Sequence, residues 1–194
     1  ILTGAGKAFC AGHDLKQQAS GGGLATPESG FGGLTARFNN PKPIIAAVNG
    51  VAMGGGFELA LACDLIIASN TAKFALPEPK VGLAALAGGI QRLPQAIGLK
   101  RAMGMLLTGR VVTAQEGYEL GFVTQVTENA VLETAKDWAA QILACSPLSV
   151  RATKDATLRG FSQSISQSLK EQWDYDMMKT LLASEDAIEG PKAF

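Results

Sequence analysis

The sequence predicts an α/β fold with a helical C-terminal region. Three observations carry this reading. Short apolar runs of β type alternate with helix-like stretches through the first two thirds of the chain, and helical patterns dominate the last third. Of 194 residues, 47% are apolar and 18% charged, the composition of about one globular domain with a real core. No repeat of fixed period and no domain linker interrupts the chain. The pattern alone leaves the sheet topology open.

Taken in order, residues 1–3 (ILT) read as a short strand. Residues 16–40 are rich in Gly, Gln, Ser and Asn, with glycines at 21–23, and read as a mobile loop with a short helix near its end. Pro41 and Pro43 lead into the apolar β-type run of PKPIIAAVNG (41–50), after which 54–62 reads as a helix start and body. DLIIAS (64–69) and KFALPE (73–78) read as two further strands. Residues 92–109 hold two short helices broken near Gly98 and stopped by Gly109. Thr113-Ala114-Gln115-Glu116 has the form of a capping box, and Gly121 closes that helix. FVTQV (122–126) reads as a strand, and 130–144 carries Val131, Leu132, Ala135, Trp138, Ala139, Ile142 and Leu143 at helical spacing. Ser146-Pro147 is an N-cap followed by a proline at the first helical position, with Gly160 as the stop. Ile165, Leu169, Trp173, Met177 and Leu181 recur every four residues, a stripe that belongs to a core or to a subunit interface.

The formal net charge is zero, without a basic block, which argues against nucleic acid and anionic membranes as partners. No apolar run reaches the roughly 18 residues of a membrane span. The three cysteines, Cys10, Cys63 and Cys145, are widely spaced, and there is one histidine, so no metal site is expected and free buried thiols are the simpler reading. The chain opens on ILTGAG without Met and stops at AIEGPKAF without a helix stop, so both ends look cut.

Several motifs fail on inspection. Gly4-Ala5-Gly6-Lys7 lacks the Ser or Thr that a phosphate loop needs after its lysine, because Ala8 follows. Phe9 stands where a dinucleotide fingerprint needs its third glycine, and no nucleophile elbow GxSxG is present. The stretch that survives is Gly54-Gly55-Gly56-Phe57-Glu58. A helix start leaves backbone N–H groups unpaired, and glycine lets a ligand oxygen approach them. That is the physics of an oxyanion hole. Close packing of helix on strand explains the glycines equally well. Glu58 falls in the first helical turn, where a carboxylate favours the helix dipole. The following 59–63 segment is apolar all round, however, so the carboxylate is expected to be buried and to need a partner or a task. Glu78 ends a β-like run at a turn, a position shared by surface glutamates and scaffold-held catalytic ones.

These residues sit in longer stretches that resemble the enoyl-CoA hydratase/isomerase family, the crotonase superfamily. The stretches are AFCAGHDLK (8–16), KPIIAAVNGVAMGGGFELALACDLIIAS (42–69), FALPEPKVGL (74–83), GGIQRLP (88–94), TGRVVTAQEGYELGFVTQV (108–126) and SEDAIEGPKAF (184–194). The resemblance implies a spiral of ββα units over residues 1–129 and a helical C-terminal region over 130–194 that assembles a homotrimer or a dimer of trimers. It also implies further strands and a helix ahead of ILTG and a short tail after KAF. The substrate it implies is an acyl-CoA thioester, with no metal and no cofactor beyond the coenzyme A of the substrate. The thioester oxygen would sit between the backbone N–H groups of His13 and Gly55, next to Gly54. His13, Asp14, Leu15 and Lys16 would line the adenine and pantetheine portions, and Leu86 would border the acyl pocket. Glu58 and Glu78 match the two glutamates of hydratases. The implied reaction is reversible syn addition of water to a trans-2-enoyl-CoA, with Glu58 as base and Glu78 delivering the proton.

Two positions depart from well-known hydratases in the resemblance: His13 replaces Ala, and Leu86 replaces Gly. A second branch that the stretches resemble is carnitinyl-CoA dehydratase, whose quaternary-ammonium substrate calls for aromatic rings; Phe31 and Phe38 are the candidates in the loop. A crotonase-fold acyl-CoA isomerase is a further alternative. A non-catalytic acyl-CoA-binding member is the alternative of another class, and it predicts loss of a glutamate or of the glycine run, both of which are present. The resemblance places the protein in a bacterial cytoplasm or, alternatively, a mitochondrial matrix.

Overall fold

Successive pairs of short strands build two sheets, each pair giving one strand to each sheet. The structure, a computed structural model, describes residues 1–16, 20, 21, 26–128 and 130–193. Residues 17–19 and 22–25 of the expected loop, Asn129 and the terminal Phe194 lie outside the described residues. The chain divides into two units, Ile1–Phe38 with Ile44–Asp137, and Asn39–Pro43 with Trp138–Phe194.

In the first unit, β1 (Leu2–Thr3), β3 (Ile45–Val48), β5 (Leu65–Ser69) and β8 (Gln125–Thr127) form one sheet in that order, all parallel. β2 (Ala8–Cys10), β4 (Val51–Met53), β6 (Lys73–Ala75) and β7 (Val112–Thr113) form the other, parallel except for the last pair. All four residues of β3 are buried, as expected of a parallel strand covered on both faces. Helix α1 (Gly55–Leu61) follows β4 directly. Its Phe57 packs with Phe74 of β6 and Phe122, with ring centroids 5.0–5.2 Å apart, and these rings anchor the core.

Helices α2 (Gly89–Ile97) and α3 (Leu99–Thr108) share Gly98 as C-cap and N-cap, and Gly109 ends α3 in the left-handed region at φ 57°. Thr113 caps α4 (Ala114–Leu120) by accepting from the Glu116 N–H at 3.2 Å. The reciprocal half of the expected capping box is absent, because the Glu116 carboxylate pairs with Arg110 at 2.6 Å instead. The strand expected at 122–126 forms at Gln125–Thr127. Phe122 and Val123 give their N–H groups to the Gly117 carbonyl and their side chains to the core.

The division between the units falls inside α5 (Val131–Leu143). In the second unit, Ser146 caps α6 (Pro147–Gly160) by accepting from the Ser149 N–H at 3.2 Å. Lys154 Nζ donates to the Lys42 carbonyl at 2.9 Å. The Ile165-to-Leu181 stripe does not lie on one helix. Helix α7 (Ile165–Glu171) passes into a 3₁₀ turn (Gln172–Asp174), and extended Tyr175 separates it from α8 (Asp176–Leu182), with α9 (Glu185–Ala193) following. Ile165, Leu169 and Trp173 are exposed and therefore take no part in a core of this chain. Among the described residues no helix is long and apolar enough to cross a membrane.

Candidate active site

The parallel order β2-β4-β6 places the C-terminal ends of three strands side by side. Open parallel sheets bind ligands at that edge. The segment 11–13 leaves β2 there, Gly54 and α1 leave β4, and 76–78 leave β6. Gly54 is tied across by its N–H to the Ala75 carbonyl at 2.9 Å.

Glycine is required where these segments meet. Gly54 has φ 52° and ψ −126°, and a Cβ built on it would stand 3.0 Å from Glu78 Oε1. Gly12 has φ 94°, and its Cβ would fall 2.8 Å from the Met53 carbonyl oxygen and 3.3 Å from the Gly55 nitrogen. A Cβ on Gly56 would fall 2.1 Å from the Cys10 carbonyl oxygen. The segment leading into His13 therefore lies against the first turn of α1. A Cβ on Gly55 would meet the Phe31 ring at 2.7 Å, so that ring rests on the Gly55 backbone. Among the described residues, no acceptor faces the backbone N–H of His13 or of Gly55.

Glu58 is 3% exposed, as its apolar surroundings in the sequence predict. Its Oε1 accepts the Gly89 N–H at 2.8 Å, at the point where α2 begins. Burial raises its pKa above the ordinary carboxylate range. The Gly89 N–H opposes this, the neighbouring charge of Glu78 adds to it, and the Ala87 N–H and Arg92 oppose it further. Glu78 opens a 3₁₀ turn (Glu78–Val81) after β6. Burial raises its pKa as well, against its own backbone N–H, and its Oε2 is buried without a hydrogen-bond partner. The fold thus brings Glu58, Glu78, Gly54, Gly55 and His13 into one region.

His13 is half-buried, and its Nε2 is sealed from solvent without a partner. The Asp14 carboxylate accepts the Lys16 N–H at 2.9 Å, and Asp14, Leu15 and Lys16 are exposed. Leu86 is 74% exposed; its neighbour Ala85 is the residue that packs beside Gly89 and Glu58. Sequence reasoning assigns no role to Gly89 or Arg92. The signal was present in Gly88-Gly89, a second glycine pair opening a helix after Glu78. Among the described residues no group of three or more His, Cys, Asp or Glu stands together as a metal would need.

Two sheets fed by successive strand pairs, with a glycine-rich helix start beside two carboxylates, are what the resemblance to the crotonase superfamily implies. A model of the enoyl-CoA hydratase/isomerase family matches residues 1–194. An enoyl-CoA hydratase from Mycobacterium marinum has a similar structure, with a TM-score of 0.92 and 42% identity over 100% of this chain and 76% of its own. A mevalonyl-coenzyme A hydratase from Beauveria bassiana is 42% identical over 100% of this chain and 74% of its own length. A carnitinyl-CoA dehydratase from Salmonella arizonae is 42% identical over 100% of this chain and 77% of its own. The chain belongs to the enoyl-CoA hydratase/isomerase family.

Proposed function

We propose that this protein is a lyase of the enoyl-CoA hydratase type, adding water reversibly to a trans-2-enoyl-CoA to give the 3-hydroxyacyl-CoA. The observation that carries the reading is the meeting of a buried carboxylate, Glu58, and a half-buried one, Glu78, with an unpaired backbone donor. Glu78 Oε1 lies against Gly54, the residue before Gly55, and Glu58 feels the charge of Glu78.

In this reading the thioester oxygen accepts hydrogen bonds from the His13 and Gly55 N–H groups. Those bonds strengthen as the oxygen gains enolate character, so they favour the transition state over the ground state. Glu58 and Glu78 hold the water between them. Glu58 takes a proton from the water as its oxygen bonds to the β-carbon, and Glu78 gives a proton to the α-carbon. Burial raises both carboxylates; two backbone N–H groups and Arg92 oppose this at Glu58, and its own backbone N–H opposes it at Glu78. The coenzyme A portion runs along His13, Asp14, Leu15 and Lys16, and no metal or redox cofactor takes part. The helical region assembles the chain as a homotrimer or a dimer of trimers.

The carnitinyl-CoA dehydratases at 42% identity favour a second reading, the same two-glutamate chemistry on a cationic substrate. Against it, the Phe38 ring already carries Arg92, whose guanidinium carbon lies 5.8 Å from the centroid, and Phe31 rests on Gly55. The test follows the conjugated enoyl-thioester absorbance of crotonyl-CoA with the protein and its Glu58→Gln and Glu78→Gln variants. Rapid loss with the parent, falling by orders of magnitude in both variants, is expected. A slow parent with indifferent variants overturns the hydratase reading, and turnover of crotonobetainyl-CoA instead selects the second one.

A further inference from the structure

We propose that Arg92 is a positioning residue of this site: its guanidinium fastens the 30–38 segment, with the Phe31 ring on Gly55, to the start of the helix that holds Glu58. The inference rests on the hydratase reading above.

Arg92 lies on α2, three residues after Gly89, whose N–H holds Glu58 Oε1. Its Nη2 donates to the Thr35 carbonyl at 2.7 Å, and its guanidinium faces the Phe38 ring. Its Nη1 fills the space that a Cβ on Gly88 would take, 2.0 Å away, so glycine at the N-cap of α2 makes room for the side chain. The segment it grips is closed on itself. The Leu34 and Thr35 N–H groups donate to the Phe31 carbonyl at 3.2 and 3.3 Å, and the Ala36 N–H donates to the Ser29 carbonyl at 2.9 Å. Thr35 is buried, and Gly32 sits on the Leu59 side chain of α1. Holding the Thr35 carbonyl therefore holds Phe31, and Phe31 covers the backbone whose N–H would receive the thioester oxygen. A planar guanidinium suits this task because it bonds a carbonyl in its plane and stacks on a ring with its face.

The same side chain acts on Glu58 through space. Two charged side chains act on Glu58, Glu78 disfavouring its ionised form and Arg92 favouring it, and the Gly89 and Ala87 N–H groups also favour it. Arg92 in turn feels burial, Glu58 and Cys63. Removing the cation leaves Glu78 unopposed among the charged side chains.

The experiment measures kcat and KM for crotonyl-CoA against pH, with thermal midpoints, for the purified protein and for Arg92→Met and Arg92→Lys. With Met, kcat falls about tenfold to a hundredfold as the covering segment loosens, KM changes less, and the acid limb of the profile moves to higher pH. With Lys, the limb returns towards its original pH while kcat stays several-fold low, because an ammonium cannot both hold Thr35 and stack on Phe38. A folded Met variant with an unmoved acid limb, or with kcat within twofold of the parent, overturns the proposal. If the Met variant does not fold, the Lys variant decides: reduced kcat at the parent's thermal midpoint supports the proposal, and parent-like kcat overturns it. A parent without crotonyl-CoA activity overturns the hydratase reading and this inference with it, whereas an active parent with indifferent variants overturns this inference alone.

Discussion

Replacing one glycine by alanine at two helical positions should move stability in opposite directions. Neither Gly56 nor Gly104 has a positive φ, so alanine is conformationally allowed at both. In a helix interior alanine is favoured over glycine by about 0.8–1.0 kcal/mol. At Gly104 nothing lies within 4 Å of the added Cβ, so that gain is realised in full. At Gly56 the Cβ would stand 2.1 Å from the Cys10 carbonyl oxygen, 2.7 Å from its carbon and 2.8 Å from Cys10 Cβ. Two of these atoms are backbone, held in β2 by its pairing with β4, and cannot rotate away. Overpacking of this kind costs typically about 1–3 kcal/mol and sometimes more, and the depth of the overlap places the net loss near 2 kcal/mol after the helix gain. For a chain of this length, about 1 kcal/mol moves the thermal midpoint by about 2–4 °C. Gly104→Ala should therefore melt about 2–4 °C higher and Gly56→Ala about 4–8 °C lower. Hydration of crotonyl-CoA should hardly change in the first and should fall about a hundredfold in the second, because β2 must retreat from α1 and carry the His13 segment away from Gly55. Calorimetry and the absorbance assay read both. A Gly56→Ala variant as stable and as active as the parent would refute the close approach of β2 to α1 and the donor pair built on it.

Glu58 and Glu78 give a pH-dependent prediction. Burial raises both carboxylates above the ordinary value of 4.5, so the folded chain retains protons that the unfolded chain has released. Stability should then fall as pH rises from that value through the raised ones, and Glu58→Gln and Glu78→Gln should each raise the thermal midpoint at neutral pH but not near pH 4. Equal midpoint shifts at both pH values would count against buried ionisable carboxylates. Phe57→Ala removes the ring shared by Phe74 and Phe122, and urea unfolding should show a loss of about 3–5 kcal/mol. Thr113→Ala removes the one side-chain acceptor at the start of α4 and should cost about 1 kcal/mol, read by the same method. Sedimentation should find a trimer or a hexamer, and a monomer at micromolar concentration would remove the proposed assembly.

What the sequence discloses is governed by how local the cause is. Thr113, Ser146, Gly98, Gly109 and Gly121 act within one turn of their own helices, and each is found at a helix boundary in the structure. β2 and β4 are not legible in the sequence: β2 is held by its pairing with β4, and β4 by its pairing with β2 and β6. The four-residue recurrence from Ile165 does not reveal that Tyr175, at ψ 135°, divides the stripe between separate helices. In the site, the burial of Glu58 follows from its apolar neighbours in sequence. Its approach to Glu78 does not, because a residue twenty positions on is brought back only by the parallel register of Val51–Met53 with Lys73–Ala75. Gly89 and Arg92 stay hidden for the same reason: their partners, Glu58 and Thr35, lie 31 and 57 positions away.

The orphaned polar atoms provide a route to the site that needs no resemblance to any relative. Buried polar side-chain atoms in folded proteins nearly always have a hydrogen-bond partner, because an unpaired one costs about 1–3 kcal/mol. Among the described residues of the first unit, two such atoms stand unpaired, His13 Nε2 and Glu78 Oε2. One follows β2 and the other follows β6, the two neighbours of β4 in the sheet. Random packing faults would scatter over the unit, and a purely structural glutamate would turn its free oxygen to water. Within this unit both lie at one sheet edge, whereas Asp155 Oδ2, Gln163 Oε1 and Tyr175 OH stand unpaired in the other unit. In the proposed reading the N–H groups of His13 and Gly55 donate to an oxygen that takes up charge, and Glu78 Oε2 faces a water. A thioester oxygen and a water molecule fit those two roles, which is consistent with the proposed hydration.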